Sequence, residues 1–123
     1  MLDLVLAASL NSSNASLPQE PQKIAGLRCG IASWYGIGDG FHGRETANGE
    51  IFNAYGVSAA STEYPLGAVV RVTNQNNGSS VVVRINDRGP YGTARIDLSY
   101  GAFDRIENPD KGRVYVCIRR IDM

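Results

Sequence analysis

A carboxylate stands at the end of a short apolar segment. Residues 81–85 are mostly β-branched, which predicts a strand, and Asn86-Asp87-Arg88-Gly89-Pro90 follows directly. Proline has no N–H to donate and glycine adopts conformations that other residues avoid, so this pair ends the strand. We expect Asp87 to be held at the rim of a buried element, where apolar neighbours would raise its pKa and suit it to general acid catalysis. An Asx-type turn, in which Asp87 only caps its own backbone, is the alternative.

Five further side chains could take part in binding or catalysis. His42 is the only histidine and lies in a glycine-flanked loop, where it is either a catalytic imidazole or a hydrogen-bonded turn residue. Trp34 and Tyr35 have flat faces on which a sugar ring could stack, and core packing is the alternative for Trp34. Tyr64 and Tyr91 each adjoin a proline, so we expect both to be exposed along a groove. One histidine and two distant cysteines do not give metal-ligand spacing, so no metal site is predicted.

The elements that must position these residues are short and mostly extended. Val/Ile/Thr-rich alternation between turn signals predicts strands over residues 29–35, 69–73, 80–85 and 113–121, and a turn and strand within 53–60. Asn77-Gly78 predicts a hairpin with positive φ at both residues. Apolar spacing over 98–106 predicts one short helix, capped by Asp97 or Ser99. Five or six strands and a small helix indicate a small β-barrel.

Composition narrows the class of protein. The chain has 123 residues, which suits one domain, and its 12 basic side chains balance its 12 acidic ones. We therefore expect no nucleic-acid partner, because phosphate binding depends on clustered positive charge. Residues 1–25 combine a short apolar segment with a polar, proline-containing run, and we expect a flexible arm or the remnant of a signal or linker. The apolar part is too short to span a bilayer.

Two cysteines, Cys29 and Cys117, lie near the two ends of the predicted barrel. A disulfide between them would close nearly the whole domain into one loop, if the first and last strands are neighbours. Buried free thiols in a reducing compartment are the alternative. Arg28 directly before Cys29 does not fit a lipid-attachment site, so no lipidation is predicted.

Six segments, read together, resemble the catalytic domain of the RlpA (rare lipoprotein A) family. They keep the order and spacing of that family from about Gly30 to the C-terminus. The segments are Gly-Ile-Ala-Ser-Trp-Tyr-Gly at 30–36, Phe-His-Gly-Arg-Glu-Thr-Ala-Asn-Gly-Glu at 41–50, Tyr-Pro-Leu-Gly at 64–67, Val-Arg-Val-Thr-Asn at 70–74, Val-Arg-Ile-Asn-Asp-Arg-Gly-Pro at 83–90 and Arg-Ile-Asp-Leu-Ser at 95–99.

The resemblance implies a mainly β fold, a six-stranded double-psi β-barrel with one or two short helices over residues 26–123. It also implies the bacterial cell envelope as the place of action and lytic transglycosylase activity on peptidoglycan strands that lack stem peptides. Such an enzyme cleaves a glycosidic bond with the C6 hydroxyl of the muramic acid itself and leaves a 1,6-anhydro end. No cofactor is implied, and we expect a monomer.

Carried over residue by residue, the resemblance places catalytic carboxylates at Glu50 and Asp87. Thr46 and Asn48, in the same run as Glu50, are expected to bind substrate. Arg88 would bind a sugar carboxylate or hydroxyl if it points away from Asp87, and a structural ion pair, for example with Asp97, is its alternative.

One departure from the family pattern is at Ser61, which stands where the family has a histidine. Serine cannot titrate near neutrality or carry positive charge. Two hypotheses follow: a lytic transglycosylase that works through Glu50 and Asp87, or a non-catalytic glycan-binding or expansin-like wall-loosening barrel.

Overall fold

The computed structural model describes residues 26–123, so the arm predicted over residues 1–25 lies outside the described residues. Six strands account for most of the regular structure. They are β1 (Arg28–Tyr35), β2 (Ser58–Ala60), β3 (Val69–Asn74), β4 (Ser80–Asp87), β5 (Ile96–Ser99) and β6 (Arg113–Arg120). The helical segments are α1 (Tyr100–Asp104) and a 3₁₀ turn at Pro109–Lys111, and no helix within residues 26–123 has the length and apolar character needed to cross a membrane.

The strands close into a barrel in the order β1-β5-β2-β4-β3-β6, with β6 returning to β1. β1 runs parallel to β5 and β2 runs parallel to β4, whereas the other neighbours are antiparallel. This confirms the predicted six-stranded barrel with one or two short helices. The interior is filled by alternate residues of the strands, because successive side chains of a strand point to opposite faces. These core residues include Val70, Val72, Val83, Ile85, Ile96, Leu98, Val116 and Ile118.

Two local predictions need correction. Asn77 does not have positive φ; only Gly78 does, at 78°, because the connection after β3 is longer than a two-residue turn and is closed by a bond from the Asn74 N–H to the Ser79 carbonyl. The helix is shorter than 98–106, because Leu98 and Ser99 belong to β5. Of the two residues proposed as the cap, Asp97 and Ser99, the N-cap is Ser99. Its Oγ accepts a hydrogen bond from the Ala102 N–H.

The two cysteines face each other across the antiparallel β1–β6 pair. The structure joins Cys29 and Cys117 in a disulfide that bridges 88 positions of the sequence. This bond joins the first and last strands of the barrel. Of the two alternatives that the sequence allowed, a disulfide and free thiols, the structure has the disulfide.

A row of outward-facing residues crosses four strands. Ile96 and Leu98 point into the core, so Asp97 between them faces outward. Ala60 pairs with Asp97 of β5 on one side. On the other side it pairs with Asp87 of β4, because the β2–β4 register shifts between Ala59 and Ala60. Ser33 of β1 pairs with Asp97 in turn. The barrel therefore places two carboxylates on its outer face, on either side of β2.

Candidate functional site

The Asp87 carboxylate is fixed by three hydrogen-bond donors. Its Oδ1 accepts from the backbone N–H groups of Ala47 and Arg88, each at 3.0 Å. Its Oδ2 accepts from the hydroxyl of Tyr35 at 3.2 Å. Two of the three donors come from distant parts of the chain, so Asp87 does more than cap its own turn. The carboxylate is partly exposed at the end of β4 and has a defined orientation.

Tyr35 holds Asp87 from the far side of the site. Its ring stacks on Phe52, with centroids 4.6 Å apart, and meets Phe41 edge-on. Burial raises the pKa of Tyr35 well above its usual value, and the negative charges of Asp87, Asp97 and Asp39 add to the effect. The hydroxyl therefore stays protonated and acts as a donor to Asp87. The ring of Tyr35 thus contacts two phenylalanines while its hydroxyl contacts Asp87.

Asp97 is a member of this site that the sequence reasoning missed. Burial raises the pKa of Asp97 from 3.8 to about 6, although the Ser33 hydroxyl donates to its Oδ1 at 3.0 Å and opposes the shift. The charges of Asp39 and Asp87 raise it further. The available signal was the position of Asp97 between two apolar strand residues, Ile96 and Leu98, because alternation then turns its carboxylate outward.

Glu50 differs from Asp87 and Asp97 because a cationic side chain neutralises its charge. Its carboxylate forms an ion pair with Arg84, with an N–O distance of 2.6 Å, and accepts from the Asn86 amide at 3.2 Å. The hydrogen bonds from Arg84 and then Asn86 lower the pKa of Glu50. These bonds favour the ionised form of the Glu50 carboxylate, and they anchor the loop that precedes it to β4.

That loop is folded by Thr46 and Asn48. The Thr46 hydroxyl donates to the Asn48 Oδ1 at 2.7 Å, and the Glu50 N–H donates to the same oxygen. The Asn48 N–H reaches the Asn86 carbonyl at 3.3 Å, next to Asp87. Thr46 is buried. These bonds explain how the loop brings the Ala47 N–H onto Asp87.

Ser61 occupies the position of the family histidine but is 1% exposed. Its Oγ accepts from the N–H groups of Glu63 and Tyr64, at 2.9 and 3.1 Å. Its own N–H donates to the Asp87 carbonyl at 3.1 Å. Ser61 therefore closes a tight turn behind Asp87, and its hydroxyl is already engaged.

Arg88 points away from the Asp87 carboxylate. Its guanidinium donates to the carbonyls of Ser61 and Tyr64 and so fastens the Ser61 turn to the end of β4. Neither Asp87 nor Asp97 forms an ion pair with it among the described residues, so the alternative of an Asp97 pair is wrong. The expectation that Tyr64 is exposed is also wrong: it is 7% exposed, because its ring is covered by the barrel and by the Arg28 guanidinium, 5.7 Å above it.

The remaining aromatic and imidazole side chains divide between packing and solvent. Trp34 packs against the core and donates from Nε1 to the Pro109 carbonyl at 2.9 Å. His42 accepts a hydrogen bond at Nδ1 from the Ala54 N–H at 3.1 Å, so its imidazole secures the loop in which it lies. Tyr91 is 82% exposed, as expected.

A sequence model of the family described as lytic transglycolase matches residues 27–118. The chain belongs to this lytic transglycolase family. The family membership confirms the RlpA-like resemblance and accounts for the common order of the six segments.

Among similar proteins, a probable endolytic peptidoglycan transglycosylase RlpA from Synechocystis is 51% identical over 100 residues, which cover 80% of this chain and 30% of that protein. The endolytic peptidoglycan transglycosylase RlpA from Pseudomonas aeruginosa PAO1 is 49% identical over 94 residues, 76% of this chain and 27% of its own. The chain thus spans less than a third of the length of these relatives.

Solved structures place this lytic transglycolase-family chain among double-psi β-barrels, which confirms the predicted fold. The Streptomyces papain inhibitor superposes with a TM-score of 0.64 at 24% identity, over 80% of this chain and 97% of the inhibitor. An expansin from Clavibacter michiganensis superposes with a TM-score of 0.62 at 22% identity, over 77% of this chain and 50% of the expansin. At these identities the likeness concerns the fold alone.

Proposed function

We propose that this chain is the catalytic barrel of an endolytic peptidoglycan lytic transglycosylase. It cleaves glycan strands, with a preference for strands that lack stem peptides, and leaves 1,6-anhydromuramyl ends. The family and the names of its members support the reaction type. The observation that carries the proposal is the arrangement of Asp87 and Asp97, two outward-facing carboxyl groups on either side of Ala60.

The reaction needs a proton for the leaving oxygen and negative charge beside the oxocarbenium-like transition state. Burial raises the pKa of Asp97 to about 6, and the nearby charges of Asp39 and Asp87 add to the effect, so Asp97 keeps its proton up to about that pH. Two intervening strand spacings put the Cα atoms of Asp87 and Asp97 roughly 10 Å apart.

Asp87 is the group that acts on the glycosidic bond. It is partly exposed, and its orientation is fixed by Tyr35, Ala47 and its own turn. As an acid it protonates the leaving oxygen, and as the resulting carboxylate it takes the proton of the muramic acid C6 hydroxyl as that oxygen attacks the anomeric carbon. Glu50, ionised beside Arg84, holds the loop that delivers the Ala47 N–H.

A glycan-binding barrel without turnover is the second candidate. Ser61, where the family has a histidine, favours it, because a buried hydroxyl that caps a turn cannot shuttle protons. An expansin-like wall-loosening role belongs to the same candidate. Either function would be exercised in the bacterial cell envelope by a monomer, with peptidoglycan as the partner and without nucleic acid, metal or cofactor; the balanced charge of the chain supports the exclusion of nucleic acid.

The deciding experiment incubates the protein with amidase-treated glycan strands and analyses the products by mass spectrometry. Anhydromuramyl ends are expected from the unchanged protein and from Asp104→Asn, a change on the exposed side of α1. Asp87→Asn is expected to lower the rate at least about a hundredfold. No products over many hours, together with retained pull-down of strands, would favour the binding barrel, and an active Asp87→Asn protein would refute the role of Asp87.

A further inference from the structure

A separate cleft opens next to the two carboxylates. It has a volume of about 540 Å³ and lies between Thr62-Glu63 and the segment 90–95. This size is within the range of roughly 300–1,000 Å³ that small-molecule sites occupy. Thr62 lies two residues beyond Ala60, and Arg95 lies two residues before Asp97. The cleft therefore lies beyond the end of the antiparallel β2–β5 pair, the end nearer to Ala60 and Asp97.

Arg95 forms one wall of the cleft and is held in place before any ligand arrives. Its N–H donates to the Ile31 carbonyl at 2.7 Å, which extends the parallel β1–β5 pairing by one residue. Its side chain lies flat over Gly30, where an added Cβ would come within 3.0 Å of Nε and 3.1 Å of the Arg95 Cβ. The backbone at Gly30 does not have positive φ, so glycine is not required there by the backbone conformation. It is required because a larger side chain would collide with Arg95. The guanidinium therefore occupies a defined position.

The charge around Arg95 is not balanced. Its Nη1 lies 3.1 Å from a Glu63 oxygen, and the Arg28 guanidinium approaches the same oxygen at 3.8 Å. Two cations share one carboxylate, so the cluster of Arg28, Arg95 and Glu63 carries a net positive charge, and Arg95 and Glu63 are its members in the lining of the cleft. Tyr91, exposed on the opposite side, has an aromatic face available to a sugar ring.

We infer that this cleft binds an N-acetylmuramic acid unit whose lactyl carboxylate is free, with Arg95 pairing with the carboxylate and Tyr91 stacking on the sugar. The inference rests on the proposed function and deepens it. A stem peptide converts the lactyl carboxylate into an amide and so removes the charge that Arg95 recognises. The preference for peptide-free strands follows from this single interaction, because a guanidinium–carboxylate pair is about twice as strong as a neutral hydrogen bond.

The test measures binding, so it does not depend on cleavage. The disaccharide of N-acetylglucosamine and N-acetylmuramic acid is titrated into the protein and followed by NMR, beside the same disaccharide with its lactyl group as a primary amide and beside chitobiose. We expect the acid to bind about tenfold more tightly than the amide or chitobiose, with shifts at the Thr62, Gly92 and Thr93 amides.

Two variants examine the cleft itself. Arg95→Gln removes the charge, and Gly30→Ala keeps the charge but displaces the side chain, so each is expected to abolish the preference for the acid. Arg71→Gln, an exposed arginine of β3, is the matched control and should keep it. Equal affinity for acid and amide, shifts confined to other residues, or an Arg95→Gln protein that keeps the preference would overturn the inference. Failure of the proposed function looks different: the acid binds selectively, yet glycan strands yield no anhydromuramyl ends.

Discussion

The hydroxyl of Tyr35 donates a hydrogen bond to the Oδ2 of Asp87 at 3.2 Å, although the two residues are 52 positions apart. Tyr35 ends β1 and Asp87 ends β4, and these strands are separated in the barrel by β5 and β2. The bond therefore joins two strands that are not neighbours in the barrel, and it depends on the order in which the strands pair. Burial and nearby carboxylates raise the pKa of the phenol, so the Tyr35 hydroxyl stays protonated and remains a donor to Asp87.

Tyr35→Phe removes this donor and keeps the ring that stacks on Phe52. We expect kcat to fall about tenfold, since a hydrogen bond to a charged group is worth roughly 1.5–3 kcal/mol and its loss frees Asp87 to reorient. Glycan cleavage under substrate saturation measures the effect, and thermal unfolding checks that the fold is kept. Tyr115→Phe, on the exposed face of β6, should leave kcat unchanged. A Tyr35→Phe protein with full activity would show that Asp87 needs no support from Tyr35.

Glu50→Gln tests whether Glu50 anchors a loop or carries the proton. Its hydrogen bonds from Arg84 and Asn86 lower its pKa, so it is ionised across the whole working range and its removal should not move either limb of the pH–rate profile. We expect a few-fold lower rate with an unchanged profile. Glu45→Gln, in the exposed part of the same loop, is the control. If the Glu50→Gln protein lost one limb of the pH–rate profile, Glu50 would be the group whose titration controls the rate, and its role as a loop anchor alone would be wrong.

Ser61→Ala separates the structural role of this residue from a catalytic one. The hydroxyl caps two N–H groups of a buried turn, so its loss should lower the free energy of unfolding by about 1 kcal/mol, in line with other side-chain caps. The rate per folded molecule should stay within twofold, because the hydroxyl has no free lone pair directed at substrate. Denaturant unfolding and glycan cleavage measure the two quantities.

The larger substitution, Ser61→His, gives the complementary result. A histidine in a site that is 1% exposed would lose the cap and crowd the turn, so we expect lower stability and no gain of activity. A strong rise in rate after Ser61→His would show instead that the missing imidazole limits the reaction.

The strands and the positions of most core residues follow from the sequence. In β3, β4 and β6 burial alternates along most of the strand, and the β-branched and aromatic residues identify these segments as strands, although Val82 is apolar and faces outward. β2 could not be delimited in this way. It has only three residues, all buried, and so shows no alternation.

The site was harder to predict because it depends on pairings between distant segments. Asp87 is recognisable as a strand-end carboxylate, but its partners Tyr35 and Ala47 are brought to it by the order of strands, which periodicity does not contain. Asp97 required the same knowledge, since only the register of Ala60 with both acids shows that they share a surface. The burial of Tyr64 also depended on tertiary contacts, because the barrel core and the Arg28 guanidinium cover its ring.

Asp97→Asn offers a test of the carboxyl pair that is independent of catalysis. The folded protein raises the pKa of Asp97 from 3.8 to about 6, so between these values the folded state binds a proton that the unfolded state has released. Stability therefore decreases as the pH rises from about 4 to about 6 and stays at the lower level above it. Asparagine keeps an acceptor for the Ser33 hydroxyl and has no charge to bury.

We expect Asp97→Asn and the unchanged protein to unfold with similar free energies near pH 3.5. At pH 8 the variant should be more stable, by about 1–2 kcal/mol after allowance for partial solvent exposure of the site. Urea unfolding at the two pH values measures the difference, and Asp104→Asn should show none. If Asp97→Asn were instead destabilised at pH 8, the ionised carboxylate would be a favourable partner in the fold. Asp97 would then be ionised at pH 6, and the proposed site would lack a protonated neighbour of Asp87.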